Sequence, residues 1–210
     1  MTKNPKSNTG GLRPRNARSI ALCLAALAVL TVADLWTKEW ALETLSRPKV
    51  AGTAPPVCAA NSLGELGLQR IPDRVEVLVK GHLQLRYTEN CAGAFGMFRS
   101  SPRWVRGSIF TGAALSFMGL LFWTYVRGSG GRMFVIGVPL IASGALGNLV
   151  DRFRNGYVID FIRYHGLFEW PTFNVADVAI VAGGVLLLLD GYLSGAQARS
   201  TEPHANTAST

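Results

Sequence analysis

The chain has 210 residues, of which 49% are hydrophobic and 16% charged, and a formal net charge of +8. Its length would hold one ordinary domain, but so apolar a composition, with a positive mean hydropathy, points to the membrane class rather than to a buried soluble core. The basic excess forms no stripe of cations interleaved with aromatics on a polar face, so it reads as topology and attraction to lipid headgroups, and no nucleic-acid partner is expected.

In chain order, residues 1–18 are a polar tail with Lys3, Lys6, Arg13, Arg15 and Arg18 and no acid. Such a tail is expected to be disordered and cytoplasmic by the positive-inside bias. The first span covers about 19–42; it is uncharged to Ala33 and then continues its helical pattern through Asp34, Trp36 and Lys38. It ends in "VADLWTKEW" without a small-x-small cleavage pattern, which implies a retained anchor. Leu22 precedes Cys23 with little apolar sequence upstream, so the chain does not read as a lipoprotein precursor. An insert of about 43–103 follows, irregular near Pro48, Pro55 and Pro56. Within it "RVEVLV" and "HLQLRY" alternate as the two strands of a hairpin turning at Lys80 and Gly81. Cys58 and Cys91 both lie in the insert, where an oxidising compartment would permit a disulfide; spacing does not say whether they meet.

Three more apolar spans follow at about 105–126, 133–151 and 173–193, and residues 196–210 form a second polar tail expected to be cytoplasmic and disordered. Each span approaches the ~20 residues needed to cross ~30 Å of hydrocarbon. The expected fold is an all-α membrane protein of four transmembrane helices, with a small extracytoplasmic β-hairpin or sheet element between helices 1 and 2. Residues 19–193 then form one membrane domain with both termini cytoplasmic.

Placing the acids on this map gathers Asp34, Asp151, Asp160 and Asp177 at the outer mouth and leaves Asp190 alone at the inner end. A charge at a membrane helix centre costs about 2.5–3.5 kcal/mol, so acids beside such spans are functional candidates. Asp34 precedes Lys38 by four residues, the favourable order for a helical ion pair. Asn148 and Asp151 share a helix face beside Arg152, and an ion-pair network is the structural reading there. Asn174 stands three residues before Asp177, which fits a capping-box variant at the start of the fourth helix. Asp160, in "YVIDFI", has no local cation or cap to explain it. Two carboxylates at one dehydrated site share a proton, leaving one acid and one base to activate water against an amide. His82, His165 and His204 are too scattered for a metal site, and no Gly-x-Ser-x-Gly motif occurs, so neither metal nor other cofactor is expected. The three cysteines have no neighbouring histidine in sequence, so thiolate catalysis has no visible source either.

"GALGNLVDRFRNGYVIDFI" followed by "FNVADVAI" resembles the paired signature of the lipoprotein signal peptidases, or signal peptidase II, the bacterial membrane aspartyl endopeptidases. "DLWTKEW" is similar to that family's first motif and "NCAGAFGMF" to its second, although the second carries its glycine one place late, at Gly93. The resemblance implies Asp160 and Asp177 as the catalytic pair. It implies Asp34, Lys38, Asn90, Gly96, Asn148, Asp151, Arg152 and Asn174 as supporting or substrate-binding residues. It further implies diacylglyceryl-modified prolipoprotein substrates cut before the lipidated cysteine, contact with membrane lipids, inhibition by globomycin-like cyclic peptides, and residence in the bacterial inner membrane. Two rival classes are a proton-coupled transporter and a membrane scaffold. The absence of an internal repeat and the placing of the acids near one face count against transport, and a scaffold would have no need of Asp160.

Overall fold

The computed structural model describes residues 14–50, 52–59, 67–91 and 103–201. In chain order these form α1 (Ala17–Leu45), β1 (Ser46–Pro48), β2 (Arg70–Pro72), β3 (Val75–Val79), β4 (Leu83–Asn90), α2 (Arg103–Val126), α3 (Arg132–Arg154), β5 (Val158–Tyr164) and α4 (Val175–Thr201). Gly96 and the rest of the second motif from Ala92 onward lie outside the described residues, as do residues 1–13 and 202–210 of the two tails.

All four helices are long and apolar enough to cross a membrane. Their outward side chains are apolar too: Val29, Val32 and Trp36 on α1, Leu120 and Trp123 on α2, and Val181 and Leu188 on α4 are all exposed. A chain folded for water would not present such a belt; a chain folded for hydrocarbon must. The helices alternate in direction. At one end the Arg15 N–H donates to the Val126 carbonyl at 3.0 Å, while the Gly131 N–H donates to Asp190 Oδ2 at 2.7 Å. That end therefore holds the start of α1, the end of α2, the start of α3 and the part of α4 around Asp190. Asp190 is no idle charge there; it satisfies a backbone donor that precedes α3.

The tightest helix pair is α3 with α4, and small residues make it possible. A Cβ on Gly144 would run into the Ala176 carbonyl, and one on Gly183 would meet the Gly137 carbonyl and Ile141. Helices in lipid gain little from hydrophobic exclusion, so close backbone approach is their main source of association.

At the opposite end lie two antiparallel sheets, β1–β2 and β3–β4–β5. The hairpin turns as the sequence suggests: the His82 N–H closes on the Val79 carbonyl at 3.0 Å, and Gly81 takes a φ of 76°, a region open to glycine. The sheet is larger than the expected hairpin, because β5, between α3 and α4, adds a third strand that pairs Thr88 with Asp160 and Asn90 with Val158. Alternation could not reveal β5, since its first four residues, Val158–Phe161, are buried on both faces. Its apolar side chains join Ala41, Leu45, Tyr87 and Tyr157 in one core that fixes the sheet on the end of α1. Cys58 and Cys91 do meet, in a disulfide.

If backbone contact between α3 and α4 carries the bundle, Gly144→Val should lower thermal stability in detergent by about 1–3 kcal/mol, the usual cost of overpacking. Gly184→Val is the control, because a Cβ at Gly184 meets nothing. Equal melting temperatures for the two variants would contradict this packing.

Candidate active site

The site begins with a lysine that water cannot reach. Lys38 is 1% exposed, and its Nζ lies 2.8 Å from Asp34 Oδ2, 3.2 Å from Asp151 Oδ2 and 2.8 Å from Asn148 Oδ1. The ammonium thus donates to Asn148 and is ion-paired with two carboxylates. The acceptors reach further: Asp34 Oδ1 takes the Ala176 N–H at the start of α4 at 2.8 Å, and Asp151 Oδ2 takes the Ile159 N–H of β5 at 3.0 Å. One cation therefore joins α1, α3, α4 and β5. Gly147 makes room for it, because a Cβ there would collide with the Asp34 carboxylate. The i,i+4 pairing of Asp34 with Lys38 is the one expected from the sequence. Asp151 pairs with Lys38 as well as standing beside the adjacent Arg152, whose Nη1 donates to the Asn148 carbonyl at 3.1 Å.

The lysine also orients the two asparagines. Ammonium only donates, so Asn148 must present its oxygen to Lys38 and aim its amide nitrogen elsewhere. That nitrogen donates to Asp177 Oδ1 at 2.8 Å. The Asn174 nitrogen donates to Asp160 Oδ1 at 2.7 Å and to Asn148 Oδ1 at 3.1 Å. Asn174 also caps α4 reciprocally: its Oδ1 accepts the Asp177 N–H at 3.0 Å, and Asp177 Oδ2 accepts the Asn174 N–H at 3.2 Å. Asn90, the last residue of β4, donates to Asp160 Oδ2 at 2.9 Å.

Asp160 and Asp177 are thus brought together around Asn174 from a strand and a helix start. Their surroundings differ. Asp160 is 1% exposed. Burial, and then the Asp177 charge, push its carboxyl up to about 7, against the opposing hydrogen bonds from Asn90 and Asn174 and the Lys38 charge. Asp177 lies in the first turn of α4 and lines a cavity of about 230 Å³ with Asn90, Asn148, Arg152, Trp170 and Phe173. A second hollow of about 330 Å³ continues from Asp177, Trp170 and Phe173 along Val178, Val181 and Ala182 of α4. Polar groups at one end and an apolar trough at the other suit a substrate with a peptide bond beside hydrocarbon.

Residues 26–193 match the family model described as signal peptidase (SPase) II. The chain belongs to the signal peptidase II family. A lipoprotein signal peptidase of Syntrophus aciditrophicus (strain SB) is 39% identical over 115 residues, covering 54% of this chain and 71% of that protein. One from Anaeromyxobacter sp. (strain Fw109-5) is 33% identical over 180 residues, covering 79% of this chain and 82% of the other. A bacterial membrane enzyme solved by the in meso method at 2.3 Å resolution shares the fold, with a TM-score of 0.63 over 89% of this chain and 96% of that one, at 18% identity.

Of the residues that the signal peptidase II motifs single out, Asp34, Lys38, Asn90, Asn148, Asp151, Arg152, Asp160, Asn174 and Asp177 gather at this end of the bundle, and Gly96 lies outside the described residues. Trp170 and Phe173 line the cavity beside Asp177 and are not singled out by the motifs. The aromatic run "FEWPTF" just before Asn174 was their available signal.

Removing the cation should be costly. Lys38→Met leaves the Asp34 and Asp151 carboxylates buried without their cation and should destabilise the protein by about 3–5 kcal/mol. Thermal unfolding in detergent measures this; an unchanged midpoint would mean that the network does not hold the helices together.

Proposed function

We propose that this protein removes the signal peptide from diacylglyceryl-modified prolipoproteins, with Asp160 and Asp177 as the catalytic pair of an aspartyl endopeptidase. The observation that carries the assignment is the placing of both carboxylates around the one side chain of Asn174, with Asp160 pushed up to about 7. Burial and the neighbouring Asp177 charge let Asp160 keep its proton up to about pH 7.

The chemistry follows from that asymmetry. Asp177 takes a proton from water as its oxygen attacks the scissile carbonyl, and protonated Asp160 hydrogen-bonds the carbonyl oxygen where negative charge develops. Collapse of the tetrahedral intermediate passes a proton to the nitrogen of the lipidated cysteine, which leaves as an amine. The peptide bond has gained one water, and the pair ends with one proton. No metal is needed for these transfers.

The basic tail before α1 and the alternating helices support a topology with both termini in the cytoplasm and the site at the outer leaflet of the bacterial inner membrane. The sheets then lie outside. The apolar trough along Val178, Val181 and Ala182 faces the bilayer and accepts hydrocarbon of the substrate. Globomycin-like cyclic peptides would bind at the same carboxylates. Asn90, Asn148, Arg152 and Asn174 hold or line the site; Asp34, Lys38 and Asp151 hold those residues in turn.

The test uses detergent-purified protein and a diacylglyceryl-modified precursor, with cleavage followed by mass. Asp160→Asn and Asp177→Asn should each abolish cleavage without unfolding the protein. Asp190→Asn should leave it nearly intact, because an amide oxygen can still accept from Gly131. Near-parental cutting by either dyad variant would exclude the aspartyl mechanism.

The pH profile gives a second test. Asp160 must be protonated, so kcat/KM should fall as pH rises through about 7. A profile that stays flat well above that value would place the proton elsewhere.

A further inference from the structure

Asn90 holds Asp160 from the last position of a strand. The pairing of β4 with β5 ends at Asn90 and Val158. The next residue along the chain, Cys91, is bonded to Cys58, 33 residues earlier. A covalent link therefore sits one residue away from the amide that donates to the Asp160 carboxylate.

The other end of that link is a fixed point. Cys58 is 5% exposed and packs with Ala41, Leu45, Tyr87, Tyr157, Ile159 and Phe161, which join the end of α1 to the strand that carries Asp160. Its φ of 57° is the one positive value among the described non-glycine residues. A left-handed φ at such a residue persists only where its surroundings impose it. The loop around it is tied down as well: Gln69 Nε2 donates to the Pro55 carbonyl at 2.8 Å. The Gln69 and Arg70 N–H groups in turn donate to the two carboxylate oxygens of Glu89, at 2.7 and 2.8 Å. Glu89 precedes Asn90, so the end of β4 is held from both sides, by a buried carboxylate before it and a disulfide after it.

We propose that the Cys58–Cys91 disulfide is a positioning element for catalysis, which holds the end of β4 so that Asn90 keeps its hydrogen bond to Asp160. The cysteines react with nothing; their bond sets where one donor stands. Without it the strand end is free to move by the fraction of an ångström that breaks a hydrogen bond. Asp160 would keep the bond from Asn174 and lose the one from Asn90. This goes beyond the proposed function and rests on its assignment of Asp160 as a catalytic group.

The consequence has a sign. The Asn90 bond favours the charged form of Asp160, as do Lys38 from α1 and Arg152 from α3, while burial and Asp177 from α4 oppose it. Losing Asn90 should therefore move the alkaline limb of the activity profile to higher pH. A disulfide that merely stabilised the fold would lower the melting temperature and leave that limb in place.

The experiment compares full-length wild type, Cys58→Ser/Cys91→Ser, Asn90→Ala and the variant combining all three, in detergent on a diacylglyceryl-modified precursor. Opening the disulfide should lower kcat, measured at a pH below the limb, on the order of tenfold, the scale of one positioning hydrogen bond, with KM unchanged and the alkaline limb raised. Asn90→Ala should show the same loss and the same shift, and the combined variant should be no worse than Asn90→Ala alone, because both act through one interaction. If the cysteine variant does not fold, wild type and Asn90→Ala can be assayed before and after a phosphine reductant; only wild type should lose activity and shift its limb. A folded, disulfide-free enzyme with unchanged kcat and pH profile would overturn the proposal. So would a loss confined to KM, or losses that multiply in the combined variant. An Asp160→Asn enzyme that still cleaves would instead remove the assignment beneath it, so the two failures are distinguishable.

Discussion

The end of the bundle that carries the proposed active site depends on one buried ammonium group. Lys38 has three protons to donate and finds Asp34, Asp151 and Asn148 around it. A lone charge there would cost several kcal/mol, so the lysine and its two carboxylates must be buried together or not at all. Because the partners sit on α1 and α3, and their second bonds reach the first turn of α4 and strand β5, helix packing and site assembly are one event. The active site cannot be half-built in a folded protein.

The same lysine imposes direction on the polar groups beside it. It fixes the Asn148 oxygen inward, which turns the Asn148 nitrogen towards Asp177, and Asn174 donates to both Asn148 and Asp160. Each of the two carboxylates accordingly receives donors that cannot rotate away. Preorganised donors of this kind need no rearrangement as charge develops in the reaction, which is the usual source of a large catalytic term. The asymmetry between the pair comes from burial, with Asp160 sealed in a strand and Asp177 facing a cavity.

Much of this was legible in the sequence, for physical reasons. Helices that meet lipid must be long and uniformly apolar, so the four spans stand out, and acids beside them cost too much to be incidental. Local spacing exposed the Asp34–Lys38 pair and the Asn174–Asp177 cap because both are contacts within one turn of one helix. Contacts across the chain were not legible. Lys38 with Asp151 spans 113 positions and leaves no periodic trace. Strand β5 hid because burial on both faces removes alternation, and with it went the pairing that sets Asn90 beside Asp160. Spacing alone could not join Cys58 to Cys91 either.

The central claim is that Asp160 carries the proton used in catalysis and gives it up only near pH 7. Infrared difference spectroscopy of the detergent-solubilised protein reads that proton directly, as the carbonyl stretch of an un-ionised carboxyl. The account predicts a band present one pH unit below about 7 and lost one unit above it, absent from Asp160→Asn and retained in Asp190→Asn. A titrating band that survives in Asp160→Asn, or no such band in the parent, would contradict it.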